Sequence, residues 1–169
     1  MTTILIILGL LIGPFVVGSM LTRLTRRQLA TLETLGCLGI TLVFCFTAIG
    51  HFIKTEPMVQ MLPAWVPGRV PLVYVTGVME FAAAIAVLIP SLRRTTGWLL
   101  ITMLILFLPA NIYAALNHTG MGGHQWGPIY LLVRIPLQAV LITWVWWFAV
   151  RSRQRSDRRT LREADVRRP

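Results

Sequence analysis

Two ionisable side chains lie inside runs that are otherwise apolar. Glu80 falls within residues 71–90 and Arg134 within 129–150. A charge at the centre of a membrane span costs roughly 2.5–3.5 kcal/mol on insertion scales. It is retained when it is paired, faces a cavity or takes part in function. His51, Asn111 and Gln138 add uncharged polarity to neighbouring runs, and Thr76 and Tyr130 share helical faces with Glu80 and Arg134. These seven form the candidate binding set. Glu80 can accept a proton or anchor Arg134, and Arg134 can hold an anionic or carbonyl oxygen. Asn111 and His51 can donate or accept hydrogen bonds. The same residues have a second reading as polar glue between helices, where such contacts average well under about 1 kcal/mol but specify partners. Both readings stay open at this point.

The elements that must position them follow from composition. The chain has 169 residues, 56% hydrophobic and 13% charged, against about 25% charged in a soluble domain. Lipid as the surrounding solvent explains the deficit. A bilayer core of about 30 Å needs about 20 apolar residues as a helix, and five runs qualify: 3–22, 35–53, 71–90, 97–116 and 129–150. The expected fold is an all-α membrane protein, a four-helix transmembrane bundle plus one additional N-terminal helix. Three parts are expected: the N-terminal helix with a cytoplasmic connector (1–34), the four-helix membrane domain (35–150), and an unfolded arginine-rich tail (151–169).

Helical phase points the polar residues to one interior. Cys37, Thr41, Phe44, Ala48 and His51 share a face at three- and four-residue steps, as do Thr76, Glu80, Ala83 and Val87. Leu104, Asn111, Ala115 and His118 share another, and Tyr130, Arg134 and Gln138 a fourth. At 1.5 Å per residue, Glu80 lies about 14 Å below the outer end of its helix, and Asn111 and Arg134 about 8 Å. His51 lies nearest the surface. Burying the four stripes together makes a pocket in the outer half of the bundle. Pro109 leaves the Ile105 carbonyl without its helical donor, and Pro136 that of Leu132, so side chains or water must satisfy them. The first span carries no ionisable residue and is expected to pack outside, with Gly9 and Gly13 offering a small-xxx-small contact.

Charge sets the orientation. Arg23, Arg26 and Arg27 follow the first run, Arg93 and Arg94 the third, and eight of the sixteen basic residues lie in the last nineteen positions. The intervening loops are nearly balanced or uncharged. This alternation places the N-terminus outside and the C-terminus in the cytoplasm of a cell (inner or plasma) membrane. Trp65 and Trp126 then lie at the outer interface, and Trp98 with Trp144, Trp146 and Trp147 near the inner one. The first run lacks a positive n-region and a clear cleavage site, and reads as an uncleaved span. The net charge of +10 thus reflects topology rather than nucleic acid. The tail either fixes orientation alone or also meets anionic lipid headgroups at roughly 1 kcal/mol per basic residue. Residues 23–34 suit a short interfacial helix.

Cys37 and Cys45 form no CxxC pair and read as packing residues. His118 and His124, with His51, are the only candidates for gathering a metal, and no ligand spacing marks them as a site. The glycine-rich stretch 117–128 suits a flexible lid over the pocket. No Walker motif, CxxC or haem-type histidine pair is present within the bundle, so an autonomous enzyme is not expected, and no inverted repeat favours a transporter.

The stretch Ile49-Gly50-His51-Phe52 with Met58–Pro63, the run Val75-Thr76-Gly77-Val78-Met79-Glu80, Ile89-Pro90, Pro109-Ala110-Asn111-Ile112 and Leu132–Gln138 together resemble the DoxX family of small polytopic membrane proteins over residues 36–150. The resemblance implies a four-helix membrane bundle, with His51, Glu80, Asn111 and Arg134 as the marked residues. It also implies an accessory or quinone-associated component of a membrane redox system, as a possible oxidoreductase subunit with a redox-enzyme partner. Quinone is the one cofactor it suggests. A non-catalytic assembly factor or chaperone is the alternative reading, and a small-solute or proton transporter a third.

Overall fold

Apolar run length, caps and prolines fix where each helix begins and ends. The computed structural model describes residues 2–25, 31–119 and 123–151. Helix α1 spans Thr2–Thr25. Helix α2 spans Leu32–Ile53; the Thr31 hydroxyl accepts from Thr34 N at 3.2 Å, and Glu33 sits in the first turn beside the positive helix end. A short helix α3, Thr55–Val59, leads through turns to α4, Arg69–Ala86, which starts after Gly68 in the left-handed region at φ 61°. Helix α5 spans Arg93–Leu116. A tight 3-10 segment, His124–Tyr130, precedes α6, Leu131–Val145, which closes in a π-helical stretch, Trp146–Arg151. No strand occurs among the described residues.

The ends differ from expectation for local reasons. Helix α4 stops at Ala86 rather than running to 90, because Pro90 donates no N–H and its ring crowds the Ala86 carbonyl. Tight bonds Leu88 N to Ile85 O and Ile89 N to Ala86 O take over there. Helix α5 begins four residues early and draws in Arg93, whose Nε donates to Val87 O at 3.3 Å while an Nη lies 3.7 Å from Glu33. Parts of three expected features fall outside the described residues: the interfacial helix over 23–34 at residues 26–30, the lid over 117–128 at 120–122, and the tail from 152 onward.

Five helical segments are long and apolar enough to cross a membrane: Thr2–Leu24, Leu32–Ile53, Arg69–Ala86, Arg93–Leu116 and His124–Arg151. Their outward faces carry Leu5, Leu106, Ile129 and Leu132, each more than 65% exposed. Contiguous apolar surface on this scale marks contact with lipid or with other protein.

One buried cluster joins Cys37, Ile40 and Phe44 of α2 with Ala83, Ala84 and Val87 at the end of α4. Leu100 and Ile101 of α5 and Val145, Ala149 and Val150 complete it. A second joins Ile4, Ile7 and Leu11 of α1 with Val43 of α2 and with Tyr130, Leu137 and Leu141. Helix α1 is therefore closely packed, with Leu11 fully buried. The close approach expected at Gly9 and Gly13 is not made there, since a methyl added at either would meet open space. Gly39 makes it instead: a Cβ there would lie 2.1 Å from the Leu11 carbonyl oxygen.

Candidate functional site

His51 sits in the last turn of α2, where α4 crosses it. Gly77 makes that crossing possible, because a Cβ at 77 would lie 2.6 Å from the His51 Cβ. The imidazole then reaches three groups on α4. Nδ1 lies 2.9 Å from the Val73 carbonyl oxygen and 3.3 Å from the Thr76 hydroxyl, and Nε2 lies 3.1 Å from Glu80 Oε2. Glu80 Oε1 accepts from the Thr47 hydroxyl at 2.6 Å, a length typical of O–H donation to a carboxylate. Thr47 is four residues before His51 and shares its face, so the same helix supplies both partners.

A carbonyl can only accept, so Nδ1 can serve Val73 only by carrying a hydrogen. Nε2 faces a carboxylate oxygen that makes no hydrogen bond. The carboxylate that the sequence offered to Arg134 is thus taken by His51 and Thr47. The Glu80–Arg134 pairing that the sequence offered as one option is not made, and Glu80 lies against His51 instead, because α4 packs mainly on α2.

Arg134 is left without that counter-charge. It projects from the first turn of α6, and its buried Nε makes no hydrogen bond. It lines a cavity of about 420 Å³ together with His51, Thr76 and Asn111. Four of the seven candidate residues therefore share one cavity wall. The rest of the lining is apolar, with Met58, Met61, Met79 and Met103 contributing four flexible thioether chains. Such chains adapt to irregular ligands. Among the lining residues, Arg134 is the formally charged side chain, and it makes no ion pair with a described residue.

Asn111 is 3% exposed and works in two directions. Its Nδ2 donates to Phe107 O at 2.8 Å, and its Oδ1 lies 3.1 Å from His124 Nε2. Gln138 lies outside the cavity lining and donates across from α6 to Leu104 O. The two amides thus bond carbonyls on either side of the Ile105 carbonyl that Pro109 deprives of its donor. Tyr130 also lies outside the lining and packs its ring edge-on to His124, with centroids 4.8 Å apart. The segment after residue 123 folds back over Asn111 through Gly127 at φ 73°, where a side chain would strike the His118 ring.

The three histidines are dispersed. His51 serves Glu80, His124 serves Asn111, and His118 Nδ1 lies 3.2 Å from Gln125 O. No group of three His, Cys, Asp or Glu suited to a metal occurs among the described residues. Cys37 is buried and Cys45 half-buried, and both are free thiols. The sequence reading missed Thr47 and the Asn111–His124 bond. The i, i+4 spacing to His51 was the available signal for Thr47. None existed for His124, whose partner depends on how the loop folds.

A family model described as a domain of unknown function, DUF8561, matches residues 40–149. No curated protein and no solved structure matches the chain. The matched stretch is about two thirds of the sequence; it begins within α2, ends beyond α6 and contains every candidate residue. The chain belongs to the DUF8561 family.

Proposed function

We propose that this is a multi-pass membrane protein that binds a quinone-type amphiphile and serves as an accessory component of a membrane redox system. The observation that carries the reading is the cavity's unequal electrostatics. Glu80 lies against His51 and Thr47, and a guanidinium with a buried, unbonded Nε stands in a largely apolar chamber. A buried donor left without an acceptor is costly. A ligand oxygen from a carbonyl or an anionic head would relieve it through charge-assisted hydrogen bonds. Asn111 and Thr76 can take part in orienting such a head, and the methionine-rich wall suits its apolar part. The volume falls in the range of small-molecule pockets. The resemblance to DoxX proteins points the same way.

In this reading α2, α4, α5 and α6 form the four-helix core, with α1 as the additional helix. The N-terminus lies outside and the arginine-rich tail in the cytoplasm of the cell membrane, where that tail can meet anionic lipid. The chain supplies binding and electrostatics; the electrons come from a partner enzyme. His51, backed by Glu80, lies beside the head, and Thr47 keeps the carboxylate oriented.

Native mass spectrometry of the protein extracted with its surrounding lipid tests this. A co-purifying quinone, lost in a folded Arg134→Leu variant, is the expected result. A stoichiometric protein partner with no small molecule would replace the proposal with the assembly-factor reading.

A further inference from the structure

Helices α4 and α5 form a wedge. At the end joined by residues 87–92, Ala83, Ala84 and Val87 pack with Leu100 and Ile101 in one buried cluster. Toward the other end, Leu72, Thr76 and Met79 of α4 face Met103, Leu106 and Phe107 of α5 across the cavity. The two helices touch far less than α2 and α4 do. The wall residues nearest the opening also belong to the outer surface: Leu72 is 41% exposed, Met79 43% and Leu106 67%. These are apolar side chains on helices long enough to span a membrane. Of the polar lining groups, His51 comes from α2 and Arg134 from α6, outside the α4–α5 wedge.

From this geometry, and resting on the proposed binding of an amphiphile, we infer that the cavity opens sideways into the hydrocarbon phase between α4 and α5. Its ligand is a long-tailed prenyl quinone whose ring lies against Arg134 and whose tail leaves through the gap lined by Met79 and Leu106. The volume argues for the exit. A chamber of about 420 Å³ lies near the small end of ligand pockets, which run from about 300 to 1,000 Å³. It takes a ring and the start of a tail, and a tail of many isoprene units must continue elsewhere. An apolar tail led into water would forfeit the burial that drives its binding. The exposed leucines and methionine of the gap lead it into lipid instead.

The test compares two probes on the full chain in lipid nanodiscs: a quinone with a long isoprenoid tail and a ring analogue with none. Leu106→Trp narrows the gap without touching the polar wall. The expected result is a loss of about tenfold or more in long-tailed binding, with tail-less binding unchanged. Equal loss of both probes, or loss of neither, overturns the lateral exit while leaving the binding reading standing. Failure of the unmodified protein to bind either probe sinks the binding reading itself. Labelling guards against a variant that fails to fold. In the unmodified protein, a quinone with a photoreactive group in mid-tail should mark peptides containing Met79 or Leu106. Marking confined to α3 or to residues 123–130 overturns the inference.

Discussion

The two ends of the α2–α4–α5 assembly solve the same packing problem in opposite ways. At the end where α4 turns into α5, small and branched apolar residues close the interior, and Ala83, Ala84, Val87 and Leu100 are almost fully buried. At the other end the interior is polar and left partly open, with a cavity bounded by His51, Asn111 and Arg134. Within that open end a second contrast holds. Glu80 Oε1 accepts from Thr47 and its Oε2 lies 3.1 Å from His51 without forming a hydrogen bond, whereas Arg134 makes no ion pair with a described residue and its Nε is unbonded. Here the acid lies against a histidine and a threonine and the arginine makes no ion pair among the described residues, and the proposed ligand site rests on that contrast.

The contrast can be broken most severely at Glu80. Glu80→Leu strips His51 of its counter-group in a buried place, and removal of one partner from such a pair costs about 3 kcal/mol. The expected outcome is a matching drop in the unfolding midpoint on titration with a denaturing detergent. Glu80→Gln, which still accepts hydrogen bonds, should lose distinctly less. Next in size comes the packed region. Gly39→Val sets new atoms against the Leu11 carbonyl and should cost about 2 kcal/mol by overpacking. Its signature is faster proteolysis between α1 and α2, with the cavity unaffected. Asn111→Leu is smaller. It removes one hydrogen bond to His124 and leaves a buried imidazole nitrogen without that acceptor, at a cost of about 1–2 kcal/mol. Hydrogen exchange over residues 123–130 should quicken, while α2 and α4 stay protected.

What the sequence revealed and what it hid divide along one physical line. Position along a helix and phase around it are local properties. The five spans, the shared inward face of Thr76 and Glu80, and the gathering of His51, Asn111 and Arg134 could all be read from run length and three- and four-residue steps. Which helices are neighbours is not local. Depth estimates placed Glu80 and Arg134 near each other along the membrane normal, but α4 packs chiefly on α2, and that adjacency gives Glu80 to His51. Gln138 and Tyr130 have the right phase for the interior yet lie outside the cavity, because Gln138 is drawn to a carbonyl near the Pro109 kink and Tyr130 to His124. The α1–α2 contact moved from Gly9 and Gly13 to Gly39 for a related reason: a small residue permits close approach, but the partner helix decides which one is used.

The most direct test of the central claim is a pair of melting curves, for the unmodified protein and for Arg134→Leu, each with and without a prenyl quinone. Replacing a half-buried cation that makes no ion pair with a described residue by an apolar side chain should leave the ligand-free melting temperature unchanged or raise it. Quinone should stabilise only the unmodified protein, by about 2.7 kcal/mol at a hundredfold excess over Kd. A variant that is less stable without ligand, and an unmodified protein whose melting quinone does not shift, would together show that Arg134 is a structural residue and that the cavity is not a quinone site.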